Sequence, residues 1–418
     1  MPAMRLLWIK VGGLWPANTG GRLRSLHLLS ELSRRHRLSL LTTHSPGEDP
    51  QGLRRRLPDC ERIVSLPYAV PKRTSPRFPL VLLRSWLSPL PVDLLKCRVR
   101  ALRYEAARLM ACQSIDLCVA DFLVAMANIP LGAPAPLVHF SHNAEHMIWR
   151  RLCENERRRW RRALLEIEWR KMRAAEAEAC RRARLTLTVS PQDQALLQAL
   201  APQAAIRSIP TGVDVQYFTP QDQPVREEEL VYVGSMDWQP NEDGVLHFIN
   251  NILPEIRRAR PGVGLTVVGR NPSERLRRAA MAAGVRVTGT VEDIRPYLAA
   301  AAAMVVPLRI GGGTRLKIFE GLAMGKAVVS TTIGAEGLPL EHGVHFLCAD
   351  QPEDFAAAVL RLLGDPEQRR CLGAAGRRLV EECYAWSRVA LEFEDLLEGA
   401  LDSAPNSPPQ TAAEPLSD

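Results

Sequence analysis

The sequence predicts two doubly wound α/β domains in tandem, and three observations carry that prediction. Short apolar runs alternate with longer stretches of helical periodicity along most of the chain, the pattern imposed by parallel sheets flanked by helices. The runs fall into two sets separated by a segment rich in Pro, Gly and charge. At 418 residues the chain is also too long for one hydrophobic core, because single cores stop growing at roughly 250 to 300 residues.

The first set comprises RLLWIKV, LSLLTTH, RIVSLP, LCVADF, PLVHFSH and LTLTVS, and places an N-terminal domain at residues 1–206. The opening run is broken by Lys10 and followed by no small-residue cleavage site, so it reads as a first buried strand and not as a signal peptide. Farther along, Trp149 to Arg184 is a helical stretch dense in Arg and interleaved with Glu and Trp. It reads either as a solvated helical pair laced by Glu/Arg neighbours or, with the apolar FPLVLLRSWLSPLP nearby, as a basic face resting on anionic lipid headgroups. The segment IPTGVDVQYFTPQDQPVREEE has neither strand nor helix periodicity and marks a hinge or linker at 207–229.

The second set, ELVYVGS, GLTVVGR, VRVTGT, AMVVPL and KAVVSTT, builds a domain at 230–383. Its first helix starts at Pro240-Asn241-Glu242-Asp243, with acidic residues in the first turn where the helix dipole favours them. Tyr384 opens a last amphipathic helix over 384–402, and residues 403–418 carry too little apolar content to fold, which reads as a disordered tail.

With 54 basic against 46 acidic residues and 46% hydrophobic content, the composition excludes a disordered, collagenous or coiled-coil chain. Only six of the basic residues are Lys, no nucleic-acid module is present, and Glu154, Glu156, Glu166 and Glu168 interrupt the basic stretch, so no nucleic-acid partner is expected. Nine Cys with no CxxC spacing read as reduced core thiols of a cytoplasmic protein. The longest uncharged stretch, Tyr297 to Leu308, falls well short of the ~20 residues that a membrane span needs.

The chemistry concentrates where the strand AMVVPL runs into Pro307-Leu-Arg-Ile-Gly-Gly-Gly-Thr-Arg-Leu-Lys-Ile-Phe-Glu320. Gly311, Gly312 and Gly313 let the backbone approach a ligand, and Thr314 can cap a helix that carries Arg315, Lys317 and Glu320. Free amides, the helix dipole and two cations converging on one point suit a phosphorylated ligand. Glu320, one turn after Lys317, can reach a neighbouring hydroxyl such as a ribose. Strand, glycine loop and helix in this order put the site at the carboxyl edge of a parallel sheet.

This run, followed by GLAMGKAVVSTT, resembles the family 4 (group 1) glycosyltransferases of GT-B architecture, and within them the GGGTRLK subgroup. PANTGGRLRSLHLLSEL, HFSHNAEHMIWRRL, SIPTGVDVQYFTP and VGSMDWQPNEDGVLHF extend the likeness along nearly the whole chain. The resemblance implies two Rossmann-like domains facing across a cleft, the second holding a nucleotide-sugar and the first an acceptor, with the last helix packing back towards the first domain. It implies transfer of a glycosyl group with retention of configuration, with no cofactor beyond a UDP- or GDP-linked donor as substrate. The acceptor would be a glycan or a lipid-linked glycan, in exopolysaccharide or cell-surface glycan assembly, met in the cytoplasm or at the inner face of the cell membrane.

By position, Glu320 matches the ribose Glu, Gly20 and Gly21 the glycine loop over the diphosphate, and Thr290 and Val291 the nucleobase contact. His142 matches a first-domain histidine near the transferred sugar, with His139 as the alternative alignment, and Asp121 at the end of LCVADF is expected to bind acceptor or to cap a helix. Two positions depart from the pattern. Gly312 stands where many members have a donor-sugar Glu, for which Glu336 is a candidate substitute, and Ser235 and Asn241 stand near the usual Arg and Lys of the phosphate clamp. Arg315 and Lys317 are then expected to meet the leaving phosphate. With no Asp-x-Asp pair to place a divalent cation, no metal is expected.

Two further readings share these residues. His142, Glu145 and His146 spell H-x-x-E-H, but a zinc protease would need all three on one helix, and here they follow directly on a strand. A GT-B sugar-nucleotide epimerase would share the fold but not the GGGTRLK run.

Overall fold

A computed structural model of the chain describes residues 3–17, 19–71, 78–310 and 316–402. The expected tail at 403–418 lies outside them. The chain divides into two compact units, one of Met1–Ile209 with Ala390–Asp418 and the other of Pro210–Val389.

Unit 1 is built on strands β1 (Arg5–Lys10), β2 (Arg37–His44), β3 (Arg62–Pro67), β4 (Leu117–Asp121), β5 (Leu137–Phe140), β6 (Leu185–Thr188) and β7 (Ile206–Ser208). They pair in parallel in the order β3-β2-β1-β4-β5-β6-β7. Every residue of β4, β5 and β6 is buried, which is why these strands read as continuous apolar runs and not as alternations. The strand order reverses between β1 and β4, whose last residues Lys10 and Asp121 are register partners. The final helix, Trp386–Asp402, contributes to this unit from Ala390 onward. There the Phe393 ring packs 5.7 Å from Trp8 and 5.2 Å from Phe140, and Glu394 lies 2.7 Å from Arg35 and 3.0 Å from His36.

Unit 2 repeats the scheme with β8 (Arg226–Val233), β9 (Gly264–Val268), β10 (Arg286–Val287), β11 (Ala301–Val306), β12 (Val328–Ser330) and β13 (Leu347–Cys348). All pair in parallel in the order β10-β9-β8-β11-β12-β13, so the reversal falls between β8 and β11. Tyr232, Phe248, Phe355 and Ile256 fill the core on one side of the sheet, and Met304, Ile318, Phe319 and Leu322 fill it on the other.

One local expectation is corrected. Much of the expected linker is ordered within unit 2: Val213 N–H donates to the Tyr384 carbonyl (2.8 Å), and Val215 and Phe218 pack on the core. A Cβ on Gly212 would sit 2.6 Å from the Trp386 ring. Aperiodic spacing hid this, because the contacts are made by single residues and not by a face. The Arg-rich stretch is a pair of helices, Glu145–Asn155 and Arg159–Arg182, as one of its two readings had it.

Candidate functional site

In unit 2 the carboxyl ends of β8 and β11 are neighbours at the point of reversal, and helix Leu316–Ala323 begins there. Ile318, Phe319 and Leu322 bury one side of that helix, which leaves Lys317 and Glu320, one turn apart, on a partly exposed side. The Lys317 Nζ donates to Tyr232 Oη (2.9 Å) and to Asn241 Oδ1 (2.6 Å), and lies 4.5 Å from the centre of the Tyr232 ring. Tyr232 Oη donates to the same Asn241 oxygen (2.7 Å), while Asn241 Nδ2 donates to the Ser235 carbonyl (2.7 Å). Asn241 thus offers no charge to a phosphate itself but anchors an ammonium beside the loop after β8. Burial pushes the Glu320 carboxyl up to about 7, against the pull of Lys317.

Glycines let the loops come this close. A Cβ on Gly234 would lie 2.7 Å from Lys317 Nζ and 2.8 Å from Asn241 Nδ2, and one on Gly269 only 1.8 Å from the Gly234 carbonyl oxygen. Arg270, next in sequence, donates from Nε to Ser235 Oγ (2.7 Å), and Ser235 Oγ donates to Asp237 (2.5 Å). The Ser235 hydroxyl is therefore already engaged, and Arg270 brings a cation to this loop that sequence reasoning missed.

Thr290 is exposed in the loop after β10, and Val291 packs into the same core cluster as Ile318 and Phe319. Glu336 is exposed in the turn after β12. That turn is held against the end of β11 by Thr331, whose hydroxyl donates to the Leu308 carbonyl (2.5 Å) and accepts from Gly334 N–H (2.9 Å). Gly311, Gly312, Gly313, Thr314 and Arg315 lie outside the described residues.

Unit 1 places a buried charge cluster at its own point of reversal. Asp121, wholly buried, accepts from Trp8 Nε1 (2.9 Å) and Lys10 Nζ (3.1 Å), and its other oxygen lies 2.8 Å from His142 Nε2. Burial works to raise the Asp121 carboxyl, but Lys10 and His142 outweigh it and hold it well below the usual carboxylate range. Arg24 Nη1 lies 2.9 Å from His142 Nδ1. A guanidinium only donates, so Nδ1 accepts and the ring proton resides on Nε2, facing Asp121. Burial drives His142 down to about 3 and Arg24 to about 10, so His142 is neutral.

In this conformation Asp121, expected at an acceptor or a helix cap, is an internal counter-ion closed from solvent beside Lys10, Trp8 and His142. His142 likewise is 4% exposed, with Nδ1 on Arg24 and Nε2 close to Asp121 but outside hydrogen-bond geometry, so in this conformation it presents no nitrogen to a ligand. His139 is wholly buried, with neither ring nitrogen bonded among the described residues, and burial lowers it to about 4. Phe122, at φ 72°, stacks 3.7 Å from His142 beneath the Lys10 ammonium. A Cβ on Gly21 would lie 2.6 Å from that Phe122 ring, so the helix Gly20–Ser33 can start here only on glycine. Lys10 and Arg24 were not identified as site residues from the sequence. A lysine ending an apolar run was the available signal for the first.

The H-x-x-E-H spacing does not assemble a metal site. His142 faces Asp121, whereas His146 Nδ1 lies 2.5 Å from Glu176, which also accepts from the backbone N–H of Glu145 (2.6 Å) and His146 (2.9 Å) and so caps their helix. Among the described residues no group of three or more His, Cys, Asp or Glu could hold a metal ion.

A family model described as Glycosyltransferase Family 4 matches residues 20–217, and one described as Glycosyl transferases group 1 matches residues 227–365. The chain is 28% identical over 224 residues to the GDP-mannose-dependent alpha-(1-6)-phosphatidylinositol monomannoside mannosyltransferase of Mycobacterium tuberculosis, covering 48% of this chain and 58% of that relative. It thus spans little more than half the length of that relative. It is 26% identical to the MMP alpha-(1->4)-mannosyltransferase of Mycolicibacterium hassiacum, over 77% of this chain and 78% of the relative. Among solved structures, sucrose-phosphate synthase from Thermosynechococcus elongatus superposes with a TM-score of 0.65 at 19% identity, covering 95% of this chain and 98% of that one. The Anabaena protein HepE, solved with UDP and glucose, gives 0.61 at 15% identity over 94% and 99%. These likenesses establish the fold, two Rossmann-like parallel-sheet units of GT-B type.

Proposed function

Because the chain belongs to the family 4, group 1 glycosyltransferases, we propose that it moves a sugar from a nucleoside diphosphate sugar to a glycan or lipid-linked acceptor, without a metal and with retention of configuration. The observation that carries this reading is the placement of Lys317 and Glu320, one turn apart on the helix Leu316–Ala323, at the carboxyl edge of β8 and β11. In it the Lys317 ammonium, held by Tyr232 and Asn241, meets the departing diphosphate, with Arg315 as a second cation from the sequence. Glu320 accepts from the ribose hydroxyls. Preorganised charge at the leaving group is the main catalytic task, since among the described residues no side chain here is placed as a nucleophile. The anomeric carbon breaks its bond to the phosphate oxygen and forms one to the acceptor hydroxyl on the same face, and the hydroxyl proton passes to the departing diphosphate.

Thr290 and Val291 then lie beside the base and Glu336 beside the sugar, and Gly20 and Gly21 keep, on the resemblance alone, the role of a diphosphate loop. Within the first unit, His142 packs on Phe122, which in turn lies against Gly21, and the resemblance gives it a place near the transferred sugar. The donor is GDP- or UDP-linked: relatives named for GDP-mannose support the first and neighbours solved with UDP the second. The acceptor belongs to exopolysaccharide or cell-surface glycan assembly.

The reaction is tested by incubating the protein with GDP-mannose or UDP-glucose and an octyl glycoside in the presence of EDTA. The expected result is an α-linked product from one donor, lost in Lys317→Ala. An inverted product, a strict need for Mg or Mn, or epimerised donor without acceptor would contradict it.

A further inference from the structure

We propose that unit 1 carries a docking surface for an anionic phospholipid bilayer, made of the outer face of helix Phe78–Trp86 and the tip between helices Glu145–Asn155 and Arg159–Arg182. The short helix is apolar on both sides. Val81 and Leu82 pack on the core, and Ser85 is wholly buried. The Ser85 hydroxyl donates to Glu168 (3.0 Å) and its carbonyl accepts from Lys171 Nζ (2.6 Å), which fixes the inner face against the long helix. Leu80, Leu83, Trp86 and Leu87 recur at the helical spacing of the other face and are 48% to 84% exposed. Four large apolar side chains on one face of a surface helix mark an interaction site, not incidental exposure.

The long helix adds Ile167 and Trp160, 47% and 62% exposed. Around Trp160 stand Arg157, Arg158, Arg159, Arg161 and Arg162, all exposed, and none of the five has an ion-pair partner among the described residues. Arg150 and Arg170, by contrast, are paired with Glu154 and Glu166. Positive charge left uncompensated is therefore concentrated at this tip. Charge selects the occupant. Five guanidinium groups complement a layer of anionic headgroups, and leucine and tryptophan need to sink only ~5–10 Å to reach the acyl boundary. A second copy of the same surface would bring its arginines against these, and a nucleic acid would leave the leucines unsatisfied. No helix among the described residues is long and apolar enough to cross a membrane, so the contact is peripheral.

The proposal goes beyond the transferase reading and does not depend on it. The test is co-sedimentation of the full chain with vesicles of phosphatidylcholine alone or with added phosphatidylglycerol. Binding is expected only to the second and is expected to fall with salt. Each arginine removed is expected to lower partitioning about fivefold, so a triple Arg157→Ala, Arg158→Ala, Arg159→Ala protein loses on the order of a hundredfold. Leu80→Ser with Leu83→Ser is expected to cost on the order of tenfold or more, at a melting temperature little changed because both side chains are more than half exposed and lie outside the core cluster.

Absence of binding, equal binding to both vesicles, or full binding by either variant overturns the proposal. So does self-association dispersed by the leucine substitutions, which would assign the face to a second copy, or RNA binding that outcompetes the vesicles. Transfer to an octyl glycoside in the same preparations is expected to be unchanged in both variants, so a failure here and a failure of the transferase reading register separately.

Discussion

Glu320 is the residue whose electrostatics bear most directly on the account. Its carboxyl, raised by burial to about 7, titrates near 4.3 in an unfolded chain. The stability it contributes is therefore fully present below pH ~4.3 and is lost as pH rises through about 7. Glu320→Gln is expected to melt above the wild type at pH 8, with the difference closing towards pH 5, and parallel melting curves would argue against the raised value. The same substitution should weaken nucleotide binding about tenfold or more, the worth of a hydrogen bond to a charged acceptor. Such a gain in stability at the cost of binding is typical of groups kept for function. In unit 1, Asp121→Ala strands the buried Lys10 ammonium and is expected to cost about 3–5 kcal/mol in urea unfolding, and a cost below 1 kcal/mol would mean that the cluster is better solvated than its burial indicates. The two residues were legible to different degrees. The spacing of Glu320 from Lys317 can be read within one motif, whereas the closure around Asp121 cannot, because only the register that sets it beside Lys10 reveals it.

At the scale of elements, the close passage of the loops after β8 and β9 is what lets Lys317 and Asn241 meet beside Gly234. Gly269→Ala would drive a methyl group into the Gly234 carbonyl and is expected to destabilise by about 3 kcal/mol. It should weaken nucleotide binding as well, because the displaced loop carries the Lys317 anchor. Calorimetric unfolding and titration of the variant check both effects, and an unchanged affinity would separate this loop from the site. The long strands were readable because each has a continuous apolar run of its own. β7 and β13, with three and two residues, are too short to have a period, and sheet pairing alone defines them. The position of the break at Glu156 to Arg158 between the Arg-rich helices was not legible because Arg158, the N-cap of the second helix, makes no side-chain cap.

Across the whole molecule, the tandem Rossmann-like architecture followed from the two sets of runs, and family membership from motifs in both halves. The partners that complete each unit's cluster did not follow, because Tyr232 and Arg270 in unit 2, and Lys10 and Arg24 in unit 1, come from elements that meet only in the fold. Two buried, neutral histidines, His139 at about 4 and His142 at about 3, give the protein a common acid response. Both have folded values below the ~6.5 of an unfolded histidine, so the unfolded chain binds more protons and stability falls as pH drops below that value. His139→Leu removes the one with unbonded nitrogens and is expected to flatten this acid limb in melting curves from pH 7 to pH 5, and an unchanged slope would place the proton uptake elsewhere.

The most direct measurement is calorimetric titration of the full chain with GDP, UDP and ADP in EDTA, beside Lys317→Ala and Glu320→Ala. The account expects one nucleoside diphosphate to bind the wild-type protein, to raise its melting temperature through mass action, and to lose most of its affinity in both variants. Equal affinity in all three proteins, or binding of none of the nucleotides, would contradict the placement of the donor at the carboxyl edge of β8 and β11.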